Sequence, residues 1–410
     1  MTDTFITKIQ VNQARNIRDL TIPLSETERR HLIITGKNGS GKTGLLEELA
    51  KFLRLLESSD YEHPLDRVEP YMMGETERFK RSQADAIFLD RANNGLDGTK
   101  ISFTEYPPKV SIKIRAGNFL IAFYEAKRQT QLTVPKGIEK VSLKEKYPLD
   151  ERVGPAFLQY LVNLKAERSF ARDDGDDEAV RKIDAWFAGL ENRLRELFQS
   201  PGLELRFDRR RYNFEIMEEE GKAPFDFNTL ADGYSAILGI VTDLILRMEG
   251  HGGGAGAHDQ EGLVLIDEIE THLHVELQKK ILPFLIDFFP RVQFIVTTHS
   301  PFVLSSVANA VICDLEEHTV TEDLSAYSYD ALVESYFETD KYSETVKEKL
   351  SRYEALLARE SPSAQEAGEL RRLRDYLSSA PKYLSRELAL KLQQLELPVS
   401  SRRPEGAGGG

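Results

Sequence analysis

The sequence has a single cysteine, Cys313, and no long apolar run among its 410 residues. One cysteine cannot form an internal disulfide, and it cannot build a cysteine-ligated metal site. The longest apolar stretch, residues 236–246, is interrupted by Asp243 and is too short to span a bilayer. The first residues also lack the apolar core and cleavage site of a signal peptide. We therefore expect a cytoplasmic protein that has no membrane partner.

Basic residues are in the minority, because 54 lysines and arginines stand against 67 aspartates and glutamates, for a net charge of −13. This balance argues against a protein that coats nucleic acid over its whole surface, although local basic patches could still bind it. Long heptad runs and internal repeats are missing too, which argues against a coiled-coil arm. What remains is an ordinary globular composition, long enough for about two or three domains.

The apolar pattern predicts an α/β protein with a parallel sheet. A strand buried on both faces, residues 32–34, is followed by a helix over residues 45–56. Two further buried strands, residues 263–266 and 294–297, are separated by a helix over residues 277–288. A strand, a helix and a strand in this order are typical of parallel pairing.

Between these parts the pattern predicts two hairpins and several helices. The hairpins cover residues 110–123 and 203–216, and the helices cover residues 157–164, 180–197 and 235–248. Residues 60–97 are polar and give only weak signals. After residue 330 the chain turns helical and highly charged, with a capping box from Ser363 to Glu366, and residues 399–410 are expected to be disordered.

A glycine-rich segment connects the first buried strand to its helix. Its residues are Gly36, Lys37, Asn38, Gly39, Ser40, Gly41, Lys42 and Thr43. They match the full pattern of a phosphate-binding loop, in which glycines let backbone N–H groups converge on phosphate oxygens and the helix directs its positive end at the same anion. Lys42 adds a point charge, and the Thr43 hydroxyl is expected to reach Mg²⁺. The segment therefore predicts nucleotide binding.

Acidic residues and a histidine follow the two later buried strands. Asp267 and Glu268 stand at the carboxyl end of a parallel strand, where ligands bind in such sheets. Asp267 would hold Mg²⁺ through water, and Glu268 could orient and deprotonate an attacking water. His299, at the end of the next strand, could donate a hydrogen bond to a γ-phosphate. For the nearby pair of His272 and His274, metal ligation and a contact across a dimer both stay open.

Three segments together, GKNGSGKT, LVLIDEIETHLH and FIVTTHSPFVL, resemble the ATP-binding heads of the ABC class. Within it they are most similar to the SMC-like, RecF-like and OLD-like ATPases. The resemblance implies a P-loop head with a mixed sheet, ATP and Mg²⁺ as cofactors, and hydrolysis of ATP to ADP and phosphate. The head would comprise residues 1–58 and 200–325, with an inserted lobe of a hairpin and helices at 59–199 and a helical C-terminal extension at 326–398.

Heads of this class bind ATP between two subunits, so the resemblance implies a homodimer or higher oligomer. The matching signature loop, which closes on the nucleotide of the other subunit, is formed by Ala231, Asp232 and Gly233. Ala231 departs from the usual serine and has no hydroxyl to offer. The resemblance also places Arg15 near the nucleotide. For the family's Mg²⁺-sensing glutamine there is no convincing match, since Gln83 and Gln159 are both weak candidates.

The region after His299 lacks the Asp-x-Asp pair of a Toprim nuclease, so we expect no built-in nuclease. A complete ATPase pattern without effector chemistry resembles the stand-alone ATPases of bacterial antiphage systems such as Septu. The first hypothesis is therefore a sensor or regulator subunit of a defence complex that has a separate nuclease or toxin as effector. The charged tail, residues 340–397, would be one place for partner contacts.

Two other functions stay open. A RecF-like DNA-repair clamp would need basic surface, for which the sequence offers three short clusters, at Lys80 and Arg81, at Arg209 to Arg211, and at Arg371, Arg372 and Arg374. A nucleotide-sensing scaffold with little turnover is supported only by Ala231. A transporter subunit is disfavoured, because the sequence shows no glutamine-rich coupling loop.

Overall fold

The computed structural model describes residues 3–58, 75–96, 98–128, 131–218, 223–253, 259–326, 332, 344–357, 359 and 363–378. The chain divides into two compact units, Met1–Tyr329 and Asp330–Gly410. The predicted disordered tail, residues 399–410, lies outside the described residues, as do residues 59–74 of the predicted lobe. Across the described ranges, no helix combines the length and apolar character that a membrane span requires.

The strands of the first unit are β1 (Ile6–Ala14), β2 (Ile17–Pro23), β3 (His31–Thr35), β4 (Thr99–Phe103), β5 (Leu120–Tyr124), β6 (Glu204–Asp208), β7 (Asn213–Met217), β8 (Phe225–Asp226), β9 (Gly262–Ile266), β10 (Val292–Thr297), β11 (Ala310–Asp314) and β12 (Thr319–Glu322). Its α-helices are α1 (Lys42–Ser58), α2 (Glu75–Asn94), α3 (Pro107–Arg115), α4 (Phe157–Asp173), α5 (Asp177–Phe198), α6 (Asp232–Met248), α7 (Val275–Phe288) and α8 (Pro301–Leu304).

Six strands form a central sheet in the spatial order β12, β11, β3, β10, β9, β5. The strands from β11 to β5 run parallel, and β12 pairs antiparallel with β11 at one edge. Every residue of β3, β9 and β10 is buried, which explains their continuous apolar runs. The predicted parallel pairing is confirmed, and it brings the carboxyl ends of these three strands to one edge of the sheet.

Two smaller antiparallel sheets have the orders β2–β1–β4 and β6–β7–β8. The predicted second hairpin is confirmed, because β6 and β7 pair from Glu204 opposite Met217 to Asp208 opposite Asn213. Residues 60–97, whose sequence gives only weak signals for secondary structure, include α2, a helix that the sequence pattern did not predict.

The predicted first hairpin is wrong. Residues 107–115 form the helix α3, and only the second half forms a strand, β5, which pairs in parallel with β9. Pro107 and Pro108 favour the first turn of a helix, because their fixed φ suits it and a backbone donor is not needed there. Val110 and Ile114, four residues apart, then share the buried face of α3.

His31 at the start of β3 predicts a loss of stability in mild acid. Its side chain is 4% exposed, and its Nδ1 accepts a hydrogen bond from the Phe294 N–H at 3.1 Å. Burial, with a smaller contribution from Arg29, lowers the pKa of His31 from 6.5 to about 3. The folded chain therefore keeps this ring neutral at pH values where the unfolded chain takes up a proton.

The contribution of His31 to the free energy of unfolding is intact above pH 6.5, and it falls as the pH drops from 6.5 towards 3. We expect a loss of about 2 kcal/mol in unfolding free energy at pH 5.0, from 1.36 kcal/mol per pH unit. Urea unfolding at pH 7.5 and 5.0 measures it, with His31→Asn as the variant that retains an acceptor but does not titrate. An equal pH effect in both proteins would contradict the assignment.

The second unit contains a pair of helices, α9 (Glu344–Leu357) and α10 (Ala364–Ser378). Leu350, Tyr353 and Leu377 form a small buried cluster between them. The predicted capping box is confirmed, since the Ser363 N–H donates to Glu366 Oε2 at 2.8 Å and the Glu366 N–H donates to Ser363 Oγ at 3.3 Å. This exchange satisfies two backbone donors at the start of α10.

Candidate active site

The glycine-rich segment forms the turn from β3 into α1, as the sequence predicts. Gly36 and Gly41 have φ angles of +136° and +104°, in the region that favours glycine. A Cβ on Gly36 would lie 2.8 Å from Ser40 Oγ, and one on Gly41 would lie 2.7 Å from Asn16 Oδ1. The turn therefore needs glycine at both positions. Lys37, Asn38 and Gly39 at its tip are exposed.

Lys42 places its charge inside this turn. The side chain is 6% exposed, and Nζ donates to the carbonyl oxygens of Gly36 at 2.8 Å and Lys37 at 3.1 Å. Burial lowers the pKa of Lys42, while the carboxylates of Glu268 and Glu270 oppose the shift. A partly desolvated ammonium in a ring of backbone groups is suited to a strongly anionic ligand.

Asp267, directly after β9, is held through both of its carboxylate oxygens. Thr43 Oγ1, at the start of α1, donates to Oδ2 at 2.9 Å, and Thr297 Oγ1, at the end of β10, donates to Oδ1 at 2.6 Å. The arrangement joins the ends of three neighbouring elements at one point. Asp267 is 4% exposed, whereas Thr43 is open to solvent.

The oxygen donors of Thr43 and Asp267 fit the chemistry of Mg²⁺, which prefers one or two protein oxygens together with water and substrate phosphates. The described residues contain no group of three or more His, Cys, Asp or Glu that could hold a metal by themselves. Two protein oxygens would leave the other positions of Mg²⁺ to water and phosphate oxygens. For His272 and His274, metal ligation stays a prediction.

Glu268 occupies a strained turn that several contacts maintain. Its φ is +45°, which is uncommon for a residue other than glycine and costs on the order of 1–3 kcal/mol. The Glu268 N–H donates to Thr297 Oγ1 at 2.7 Å, and Thr271 Oγ1 donates to the Glu268 carboxylate at 3.2 Å. Thr297 thus binds both acidic residues and fixes their relative position.

His299 follows β10 and lies beside the acidic turn, which we define as residues 267–270 after β9. Its backbone N–H donates to Glu270 Oε1 at 2.5 Å. Burial, together with the nearby charge of Lys42, lowers the pKa of His299. The ring is therefore neutral at physiological pH and carries one N–H donor.

Arg128 is a site residue that sequence reasoning missed. It lies after β5, the strand next to β9, and its guanidinium donates to the carbonyl oxygens of Asp267 at 2.8 Å and Glu268 at 2.9 Å. Burial lowers the pKa of Arg128 to about 10, so it remains charged. The two candidate glutamines are elsewhere, because Gln83 is exposed on α2 and Gln159 donates to the Gly137 carbonyl at 3.0 Å.

The turn between β1 and β2 packs against the glycine-rich turn. Asn16 Nδ2 donates to the carbonyl oxygens of Gly39 at 3.3 Å and Ser40 at 3.1 Å. Arg15 has a φ of +52°, forms an ion pair with Glu47 of α1, and its side chain is 61% exposed. Arg15 is therefore placed beside the turn with a guanidinium open to solvent, and Asn16 is a second contact that the sequence did not reveal.

The predicted signature loop forms the N-terminus of α6. Ala231 is the N-cap residue and makes no side-chain capping bond, and both Ala231 and Asp232 are exposed. Gly233 is buried against the turn before α7, where a Cβ would lie 3.0 Å from the His272 carbonyl oxygen. His272 and His274 are exposed beside it, with the Tyr234 ring centroid 6.4 Å from that of His274. The start of α6 and the turn that carries His272 and His274 therefore form one continuous surface.

Comparison with known proteins adds a family and several relatives. The family described as "AAA domain, putative AbiEii toxin, Type IV TA system" matches residues 32–305. The chain is 24% identical over 396 residues to Septu protein PtuA of Bacillus mycoides (strain KBAB4), which covers 92% of this chain and 51% of that protein. It is 40% identical over 79 residues to the retron Ec83 probable ATPase of Escherichia coli, covering 19% and 15% of the two chains.

The chain thus spans about half the length of the Bacillus mycoides relative. Its match to the retron protein covers 15% of that protein. Among solved structures, an SMC head bound to the C-winged helix domain of ScpA aligns with a TM-score of 0.37 and 15% identity, over 76% of this chain and 94% of that one.

Proposed function

Since this chain belongs to the family described as "AAA domain, putative AbiEii toxin, Type IV TA system" and has an α/β P-loop ATPase fold, we propose that it binds ATP and hydrolyses it to ADP and phosphate. The observation that carries this proposal is the hydrogen bond of 2.9 Å between Thr43 and Asp267. It joins the phosphate-binding turn to the acidic turn, so that nucleotide phosphates, metal and attacking water would meet at one place.

The residues of the site divide into binding and catalytic groups. Lys42 and the N–H groups at the start of α1 would bind the phosphates through charge and converging donors. Thr43 and Asp267 would hold Mg²⁺, which supplies positive charge next to the phosphates when bound. Arg15 would approach the nucleotide from the edge of the site.

Two side chains would act on the reaction itself. Glu268 would orient the attacking water and accept its proton, in the geometry that its contacts with Thr297 and Thr271 maintain. His299, neutral because its pKa is lowered, would donate a hydrogen bond to the γ-phosphate. Arg128 would act indirectly, as a positioning residue that holds the acidic turn by its carbonyl oxygens.

Removing the charge of Lys42 tests the binding part of the proposal. We expect Lys42→Ala to raise the Kd for ATP by about 10- to 100-fold, the loss that one or more charge-assisted hydrogen bonds would cause. A fluorescent ATP analogue measures the affinity. Lys182→Ala is the control, because its side chain is 67% exposed on α5. Equal affinity of the two variants would refute a phosphate-binding role for the turn.

The start of α6 would bind the ATP held by a second copy of the chain. Ala231 and Asp232 are exposed, and the N–H groups at the N-terminus of α6 carry a partial positive charge that suits a phosphate. Gly233 allows the close approach of α6 to its neighbouring turn. We expect a homodimer that forms when ATP is bound, or a higher oligomer built from such dimers.

In the cell, the ATPase would act as a sensor or regulator subunit of a bacterial, antiphage defence complex with a separate nuclease or toxin as effector. The similarity to Septu protein PtuA and to the retron Ec83 probable ATPase supports this role. Capture of the Glu268→Gln chain from its native host, followed by mass spectrometry, tests the role. A stoichiometric nuclease or toxin is expected, and recovery of the chain alone or with repair proteins would contradict it.

A DNA-binding clamp is the second candidate, and one feature favours it. Arg209, Arg210 and Arg211 lie together at the exposed turn between β6 and β7. Binding of duplex DNA that weakens steeply with salt, and that is lost when the three arginines are replaced by glutamine, would support this function. No retention of DNA at low salt, with or without ATP, would exclude it.

A further inference from the structure

A cavity of about 120 Å³ lies behind the acidic turn, between α6 and the segment that follows β5. Its walls include Lys127, Arg128 and Arg152 on one side and Ala236, Gly239 and Ile240 of α6 on the other. The volume is many times the roughly 10–15 Å³ that a single water requires, so a small polyatomic ion has room in it.

Three of the residues that line this cavity carry a positive charge. Within the described residues, none of its three cationic side chains has a carboxylate within salt-bridge distance. Arg152 instead donates to the Phe123 carbonyl oxygen at 2.6 Å and stacks over the Tyr124 ring, 4.8 Å from its centroid. Arg128 likewise uses its terminal nitrogens on backbone oxygens, and its Nε is buried without a hydrogen-bond partner.

The single acidic residue in the wall does not offset this charge. Asp243 is 1% exposed, and its carboxylate is paired with Arg247 at 2.7 Å. Its Oδ1 also accepts hydrogen bonds from the backbone N–H groups of Val153 and Gly154. Three cationic side chains therefore line the cavity, with no carboxylate at salt-bridge distance among the described residues, and such a wall favours an anion over a cation or a neutral molecule.

We propose that this cavity is a binding site for an oxyanion of the phosphate class, held by Lys127, Arg128 and Arg152. The ligand is either inorganic phosphate or the phosphoryl group of a small nucleotide, since the same three cations would bind both. The site is separate from the phosphate-binding turn, which lies at the start of α1.

The position of the cavity connects it to the reaction, and this step rests on the proposed ATPase function. Arg128 contacts both the cavity and the carbonyl oxygens of Asp267 and Glu268, so an anion that attracts its guanidinium would change how firmly the acidic turn is held. On the opposite wall, α6 begins at the residues proposed to close on a second subunit's ATP. A bound anion would therefore contact both elements on which turnover depends.

The experiment measures binding directly, by calorimetry, on the full chain with Lys42→Ala so that the phosphate-binding turn contributes little. Inorganic phosphate and adenosine monophosphate are titrated separately, and adenosine is the control for the nucleoside. Phosphate binding that adenosine does not reproduce is expected. Lys127→Gln and Arg152→Gln should each weaken it by about tenfold, the loss of one charge-assisted contact.

Lys140→Gln is the matched control, because Lys140 is exposed outside the cavity. Lys127 is itself exposed, so its variant will fold even where Arg152→Gln disturbs the packing on Tyr124. Tighter binding of adenosine monophosphate than of phosphate would support the proposal and identify the nucleotide as the source. No binding of either compound, or equal affinity in Lys127→Gln and Lys140→Gln, would overturn it. The result does not depend on ATP turnover.

Discussion

Replacing Glu268 with glutamine is expected to slow ATP hydrolysis by about 100- to 1,000-fold and to leave ATP binding nearly unchanged. The amide has the shape of the carboxylate, but it cannot accept the proton of the attacking water, and a positioned general base contributes a factor of this order. It can still accept the hydrogen bond from Thr271, so the turn should keep its conformation. Phosphate release under steady-state conditions measures kcat and KM separately.

The control for this variant is Glu178→Gln, which makes the same chemical change on α5, where the Glu178 side chain is 71% exposed. We expect the control to keep the kcat of the native chain. If Glu268→Gln keeps it too, the site does not use Glu268 as its base, and a nucleotide-sensing scaffold becomes the better description.

The same variant should accumulate the ATP-bound dimer. Because hydrolysis would be blocked while binding is preserved, sedimentation with ATP and Mg²⁺ is expected to show a larger dimer fraction for Glu268→Gln than for the native chain. The proposed contact is made by the start of α6, so Ala231→Glu, which places a negative charge at the exposed helix N-terminus, should repel the phosphates and reduce that fraction. A dimer that forms equally without ATP would contradict this arrangement.

The glycine-rich turn could be predicted from sequence because its geometry is local. Gly36 and Gly41 are needed for backbone angles within a single turn, and Lys42 and Thr43 follow them directly. Asp267 is distant in sequence, yet it too was predictable, because a buried parallel strand ends at the same sheet edge as its neighbour. Where a residue's role depends on one strand or one turn, a short pattern carries the information.

Arg128 shows where such reasoning ends. It lies 139 residues before Asp267, in a segment without a recognisable pattern, and reaches the acidic turn only because β5 pairs with β9. The error over residues 107–115 prevented this inference, since a hairpin would have placed residues 120–124 beside their sequence neighbours. Alternation at Val110, Ile112 and Ile114 suggested a strand, but the paired prolines and the four-residue spacing of Val110 and Ile114 decided for a helix.

A buried ion pair on α6 should be a sensitive point of the first unit's stability. Asp243 and Arg247 have side chains 2% and 3% exposed, and Arg247 Nε donates to Asp243 Oδ2 at 2.7 Å. The same oxygen accepts a hydrogen bond from the Tyr124 hydroxyl at 2.8 Å. Arg247 also donates to the carbonyl oxygens of Ile121 and Pro148, so it connects α6 to β5 and the following loop.

We expect Asp243→Ala to lower the free energy of unfolding by about 3–5 kcal/mol, because it leaves the buried Arg247 guanidinium without its counter-ion. Urea unfolding at pH 7.5 measures the change, and Glu178→Ala, which breaks an exposed pair with Lys182, should leave stability nearly unchanged. The double variant Asp243→Ala/Arg247→Met should recover part of the loss, since it removes the unpaired charge as well. The single variant Arg247→Met completes the comparison. If the double variant loses as much free energy of unfolding as the two single variants together, the two residues are not coupled, and the unpaired guanidinium is not what makes Asp243 necessary.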